Sequence, residues 1–158
     1  MININVATEL MTDFATDAYE VLRGKYPVFL IDEWQDKVLM ARVFREGYAE
    51  EEDQDIMIQW ANEEGLDLIQ WSDSMIIESR EFTKMKQVLS GLYRQSLFNA
   101  GVAAATAPET LPGVFATIIA NTQATMAVLA GDDEQIKQTL FDLLAEMQAE
   151  LTEALNGS

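Results

Sequence analysis

The sequence predicts an all-α protein, a helical bundle of five to six helices with an acidic surface. Three observations predict it. Apolar side chains recur at three- and four-residue intervals over most of the 158 residues, the spacing that lines one face of a helix. Gly24, Gly47, Gly65 and Gly131 close successive periodic stretches. Apolar residues make up 49% of the chain, enough for a core at a length where folding buries about 70% of the unfolded surface.

Taken in order, the first helix carries Val6, Leu10, Phe14, Ala18 and Val21 on one face, and Gly24 followed by Pro27 stops it. A second begins with Asp32 as its cap, presents Trp34, Val38, Ala41 and Phe44, and ends at Gly47. The third, Glu51 to Glu64, puts Ile56 and Trp60 on one face, with Gly65 in the position that commonly follows a helix end. Between Leu66 and Ile77, strand-like alternation at Leu66, Leu68 and Gln70 conflicts with the rest, so a loop with short turns is expected. The cleanest amphipathic stripe is Phe82, Met85, Leu89, Leu92 and Ser96, which predicts a helix capped by Ser79 and reaching about Asn99.

Gly101 to Gly113, containing Ala103 to Ala105, Pro108 and Pro112, reads as a linker. The expected organisation is therefore an acidic helical domain over 1–100, a linker over 101–113, and a C-terminal helical pair over 114–158. That pair either packs on the first part or mediates self-association. Pro112 suits a first helical turn, where its missing N–H is not needed, and the helix carries Phe115, Ile118, Ile119, Met126 and Leu129. Val114 to Ala130 holds Asn121, Thr122 and Gln123 at its centre and falls short of the ~20 apolar residues of a membrane span. It is expected to be a buried helix, with no membrane association. The last helix starts at Asp132 or Asp133, acids favoured at a helix N-terminus, and shows Ile136, Leu140, Leu143, Leu144, Met147, Leu151 and Leu155.

Several functions are disfavoured by what the chain lacks. Without His or Cys there is no Ser-His-Asp or Cys-His arrangement, no imidazole base and no ordinary zinc site. No G-x-x-x-x-G-K loop is present, and Glu50 to Asp55 lacks the glycine and spaced final Glu of an EF-hand. No catalytic residue, no metal site and no cofactor is expected, and the chain is not read as an enzyme. The absence of Cys suits a reducing compartment, and Met1-Ile-Asn-Ile-Asn lacks the basic-then-apolar layout of a signal peptide, so the host-cell cytoplasm is the expected location.

Charge is the informative feature. The net charge is −17, and residues 46–79 hold eleven carboxylates with no Lys or Arg. Ile56, Met57, Ile58, Trp60, Leu66, Leu68, Ile69 and Trp71 interrupt those acids, which a solvated tail would not need. The basic residues Arg80, Lys84, Lys86 and Arg94 follow immediately and offer internal partners. A field of this sign repels phosphate, so direct nucleic-acid binding is disfavoured, and it fits a protein that occupies a DNA-binding groove instead. If 46–79 were one helix, its acids would lie about 4.6 Å apart along the axis at ~1.5 Å per residue. One strand of B-DNA shows a charge every ~3.4 Å, so acids from other helices, such as Asp13, Asp17, Glu20, Asp32, Glu33 and Asp36, and a second subunit would be needed for a duplex-like density.

Within residues 14–98, Asp55-Ile56, Ala61, Glu64-Gly65-Leu66-Asp67-Leu68 and Asp73-Ser74 are preceded by Ala18-Tyr19-Glu20-Val21-Leu22 and followed by Leu89 to Leu97 with Tyr93. This pattern resembles the T7-type anti-restriction, or overcome-classical-restriction, family of DNA mimics. The resemblance implies an all-helical, dimeric, acidic phage protein that binds type I restriction-modification enzymes in place of DNA. Carried over by position, Glu20, Asp55, Glu64, Asp67 and Asp73 match acids of the family pattern. The chain departs from that pattern in its basic stretch at 80–94 and in an Ala-rich, largely apolar extension where the family has a dense acidic tail.

The expected partner-binding surface, acting as a phosphate mimic, comprises Glu20, Glu46, Glu50, Glu51, Glu52, Asp53, Asp55, Glu63, Glu64, Asp67, Asp73 and Glu78. Its expected partner is a host DNA-binding protein or nuclease of a restriction or other defence system, met by a homodimer or higher homo-oligomer. The competing expectation is a helical virion or assembly-chaperone protein whose acids serve solubility. Trp34, Trp60 and Trp71 are read as core or subunit-interface residues, and the eight Met as core filler.

Overall fold

A computed structural model describes residues 4–26 and 28–156, with side chains throughout except at 28–34. Among the described residues there are six α-helices and no strand: α1 (Ile4–Arg23), α2 (Val28–Arg45), α3 (Glu51–Glu63), α4 (Leu68–Thr106), α5 (Leu111–Ala130) and α6 (Glu134–Asn156). A single 3₁₀ turn, Pro108–Thr110, leads into α5. The all-α bundle expected from periodicity is the fold observed.

Local chemistry sets the helix ends. After α2, Gly47 adopts φ +86°, its N–H bonds to the Phe44 carbonyl, and Tyr48 N–H bonds to the Val43 carbonyl. The same pair of bonds follows α3: Gly65 at φ +72° bonds to Asn62, and Leu66 to Ala61. Both are Schellman closures, in which only glycine takes the left-handed turn without strain. Asp133 caps α6 by accepting the Ile136 N–H at 3.0 Å. At the start of α4, Asp67 Oδ1 accepts the Gln70 N–H at 2.8 Å while Gln70 Oε1 accepts the Asp67 N–H at 3.1 Å, a reciprocal capping box.

That box overturns two expectations. Residues 66–77 are not a loop, because α4 begins at Leu68, and Ser79 lies inside it rather than capping it. The alternation at Leu66, Leu68 and Gln70 has a local cause: Leu66 belongs to the closure of α3, and Gln70 faces back onto Asp67. Asp32 likewise is no cap, since α2 starts at Val28 and Asp32 lies one turn inside; the Trp34 side chain and Pro27 fall outside the described residues.

The chain divides into two compact units, one formed by Met1–Lys25 with Met85–Ser158 and the other by Tyr26–Lys84. This replaces the expected division at 101–113. Gly101 remains helical because nothing before Pro108 removes a backbone donor, and Ala100 and Ala103 are buried. The true break is confined to Ala107–Thr110. Helix α4 gives residues 68–84 to one unit and 85–106 to the other.

In the first unit, α6 packs against both α1 and α5. The contributing stripes are Ala7, Met11, Phe14, Ala18 and Leu22 from α1, Leu111, Phe115, Ile118, Thr122 and Met126 from α5, and Leu140, Leu144, Met147 and Leu151 from α6. Met85, Leu89, Ser96, Ala100 and Ala103 bring in α4. On α1 Phe14 and Ala18 are buried as expected, while Ala7, Met11 and Leu22 take the places expected for Val6, Leu10 and Val21. Lys25 Nζ donates to the Leu129 and Ala130 carbonyls at 3.1 and 3.4 Å, placing a cation on the negative end of α5. Helix α5 is not the buried helix expected: Ala116, Thr117, Ala120, Asn121, Gln123, Ala124 and Val128 are exposed.

The second unit has a smaller core of Val38 and Ala41 from α2, Met57 and Ala61 from α3, and Trp71, Ser72, Met75 and Phe82 from α4. Buried Met57 and Ala61 take the place expected for Ile56 and Trp60, and Ile56 stays 43% exposed. Trp60 instead flanks the core, 5.6 Å from Trp71 with Lys37 4.9 Å over its ring. Tyr26 meets Phe82 edge-on at 5.1 Å.

Leu140→Ala, at a fully buried position of the α6 stripe, should cost about 2–5 kcal/mol in denaturant unfolding. Gly91→Ala, where an added Cβ meets nothing within 4 Å inside α4, should raise stability by about 0.5–1 kcal/mol.

Candidate functional site

The acids of 46–79 lie on three kinds of local structure. Glu46 occupies the turn after α2, Glu50 is the N-cap of α3, and Glu51, Glu52 and Asp53 form its first turn. Asp55 follows inside α3, Glu63 ends it and Glu64 caps it; Asp67 caps α4, and Asp73 and Glu78 lie along α4. The segment is therefore not one helix but two with a tight closure between them. On α3 alone the charge density exceeds the average of the segment: the seven carboxylates from Glu50 to Glu64 span a helix about 20 Å long, roughly one per 3 Å. That density is comparable with a single DNA strand, although the acids gather at the two ends of α3 and none falls between Ile56 and Asn62.

Orientation follows from the buried pair. With Met57 and Ala61 pointing inward and about 100° per residue, Glu51, Glu52, Asp55 and Glu63 fall on the outward half of α3, and Asp53 turns toward its flank. All five are exposed, as are Glu46, Glu50, Glu64 and Asp67. Among the described residues, Asp73 alone of the eleven acids in 46–79 lies within ion-pair distance of a cation, Arg45 at 3.1 Å. Among the described residues, Arg80 and Lys84, the bases of the 80–94 stretch that share this unit, form no ion pair with these acids. Asp67 has a second task as the α4 cap, and Glu78 accepts a 3.4 Å hydrogen bond from Ser74 Oγ. Glu20 belongs to the other unit, exposed on α1 and 4.0 Å from Arg23, so the structure does not group it with the acids of 46–79.

Glu51, Glu52 and Asp53 stabilise α3 through its dipole, as acids at any helix start do. Glu63 and Glu64 do the opposite. They sit at the negative end of the helix, with no base in its last turn, and helix stability offers no reason for them. Close by, Glu78 has its carboxyl pushed above the usual range by partial burial and by the charges of Glu64 and Glu81, against a lowering from Ser74. The same neighbourhood raises Tyr26, first by burial and then by Glu81 and Glu78. Glu81 is thus a member of this acidic corner that the sequence reading missed, because it stands beside Arg80 and beyond the base-free segment.

The other unit carries its own acidic recess of about 60 Å³ on the α1–α6 seam, lined by Asp13, Asp17, Glu146 and Glu150 with Leu10, Phe14, Leu143 and Met147. The signal was present as an i, i+4 acid pair on each helix. Among the described residues no group of three or more carboxylates is placed to hold a metal ion. Compared with known proteins, the chain matches no protein-family model, no curated protein and no solved structure.

Two outcomes follow from this geometry. Glu63→Gln and Glu64→Gln should each raise stability by a few tenths of a kcal/mol, whereas Glu51→Gln and Glu52→Gln should lower it, as read by chemical denaturation at low salt. Glu78 binds its proton more tightly folded than unfolded, so its contribution favours the fold at low pH and is lost as pH rises through the raised folded value. Glu78→Gln should therefore raise the melting temperature at neutral pH and change it little at pH 4.

Proposed function

We propose that this protein is a stoichiometric inhibitor, of phage or mobile-element origin, that occupies a DNA-binding cleft of a host defence or DNA-processing protein. The acids of 46–79 are the ligand, standing in for backbone phosphates. The observation that carries this reading is the scarcity of internal ion pairs: nine of those eleven acids are exposed, and among the described residues only Asp73 is ion-paired. A solubilising surface has no need to place Glu63 and Glu64 against the α3 dipole, or to set Glu64 and Glu81 near Glu78, whose carboxyl is pushed up first by partial burial and then by those charges. A partner rich in Lys and Arg relieves both costs at once. The resemblance of residues 14–98 to the overcome-classical-restriction family points the same way.

Recognition of this kind is fast and salt-sensitive, because a field of one sign steers the encounter and is screened over about 10 Å at 0.1 M salt. The exposed Ile56, Ile58 and Tyr48, at 43%, 42% and 79%, add apolar contacts among the carboxylates that a phosphate backbone lacks. They supply affinity that survives screening.

Capture from host lysate should recover a partner that duplex DNA displaces and that added salt releases. Reversing Glu51, Glu52, Asp55, Glu63 and Glu64 to Lys should abolish that capture while circular dichroism stays helical. Capture that persists in the reversed variant, or a partner indifferent to duplex DNA, would turn the reading toward an assembly protein with a solubilising face.

A further inference from the structure

The remainder of the molecule holds one surface of the opposite character. From Gln95 to Gly131 the only ionisable side chain is Glu109, in a chain of net charge −17. This stretch folds into the end of α4, the 3₁₀ turn and α5, and between those helices lies an open groove of about 590 Å³. None of the fifteen residues that line the groove is charged. Three of its threonines have already spent their hydroxyl donors on their own backbone, Thr106 on Val102, Thr110 on Ala107 and Thr117 on Gly113. The Gln95 amide likewise donates to the Asn99 side-chain oxygen at 3.0 Å.

On the rim of this groove Phe98 is 66% exposed and Val102 45%. The groove side of α5 continues, at about 100° per residue, through Ala124 to Val128, which is 79% exposed. A knob and a hole therefore lie on one face of one chain, the requirement for an isologous twofold contact. We propose that the α4–α5 groove is the self-association surface of this protein, with Phe98 of each copy seated in the groove of the other. Charge selects this occupant. A basic partner is drawn to the carboxylates, whereas two copies at −17 each repel everywhere except where no ionisable group is present. The lining residues together with Ala124 and Val128 number seventeen, and Ser96, Ala103 and Ile118 among them are already buried, so the contact falls below the roughly 20–30 per side of a standard interface and belongs to the small, reversible class. A bilayer fits less well, although α5 is long and apolar enough to cross one, because exposed Asn121 and Gln123 would lose their hydrogen bonds in lipid.

Sedimentation velocity of the full chain over a thousandfold concentration range tests the proposal without reference to any target of the acidic face. A dimer is expected, and added salt should tighten it by screening the repulsion, the reverse of what the acidic face does with its partner. Phe98→Glu should weaken the dimer by roughly a hundredfold or more while leaving the helical signal intact, because the side chain is exposed in the single copy. The chain has no Cys, so Val102→Cys should cross-link between copies on oxidation and Gln59→Cys on α3 should not. A protein that stays monomeric, a Phe98→Glu variant as dimeric as the parent, or preferential cross-linking through position 59 would each overturn the proposal. Uptake of a monomeric protein by phosphatidylcholine vesicles would overturn it in favour of a lipid surface.

Discussion

The seam between α1 and α6 is the contact on which the arrangement depends. It joins helices more than a hundred residues apart into one unit and so makes Tyr26–Lys84 an insertion within that unit. The inserted unit carries most of the net charge on a modest core, built around one buried tryptophan, Trp71, and the methionines Met57 and Met75. Mutual repulsion among its carboxylates opposes compaction, and the apolar side chains between them are what keep the segment folded. Loss of a methylene there is felt against a smaller total than in the bundle of α1, α5 and α6.

Charge is placed in two regimes along the same helix. At the start of α3 the acids cooperate with the backbone dipole, and at its end they work against it. The second regime is the informative one, because selection for stability alone would exchange Glu63 and Glu64 for Lys or Arg. Strain of this electrostatic kind is relieved by salt, by neutralising the carboxylates or by a nearby cation, and on the proposed reading a cationic partner supplies that relief. The uncharged α4–α5 surface stands apart from this pattern: if both proposals hold, one part of the chain attracts a cationic surface and another tolerates a second copy.

Much of the fold was legible in local pattern. Gly65 ends α3 where expected, Asp133 caps α6, and the stripes Phe82–Ser96 and Leu140–Leu151 are buried as their spacing implied except at Leu92 and Leu143, which are half-buried. The start of α4 was hidden because the Asp67–Gln70 box overlaps the leucines that close α3, and Gly101 was mistaken for a break because glycine alone does not stop a helix whose neighbours are alanines. The division into units had no local signature, since it is set by α1 meeting α6. For the candidate site, the carboxylates themselves were countable in the sequence. Which of them are engaged was not: Asp73 finds Arg45 across twenty-eight positions, and Glu64 approaches Glu78 only after Gly65 turns the chain.

The α1–α6 seam also bears on how the protein is made. As the chain leaves the ribosome, α1 emerges roughly 110 residues ahead of α6, a delay on the order of 10 s at bacterial or eukaryotic elongation rates. Over that interval Met11, Phe14 and Leu22 lack the surface they are destined to meet, while the inserted unit can already be complete. Nascent-chain biology therefore favours an order in which the acidic part folds first and its electrostatic repulsion keeps the unfinished chains apart until the bundle closes.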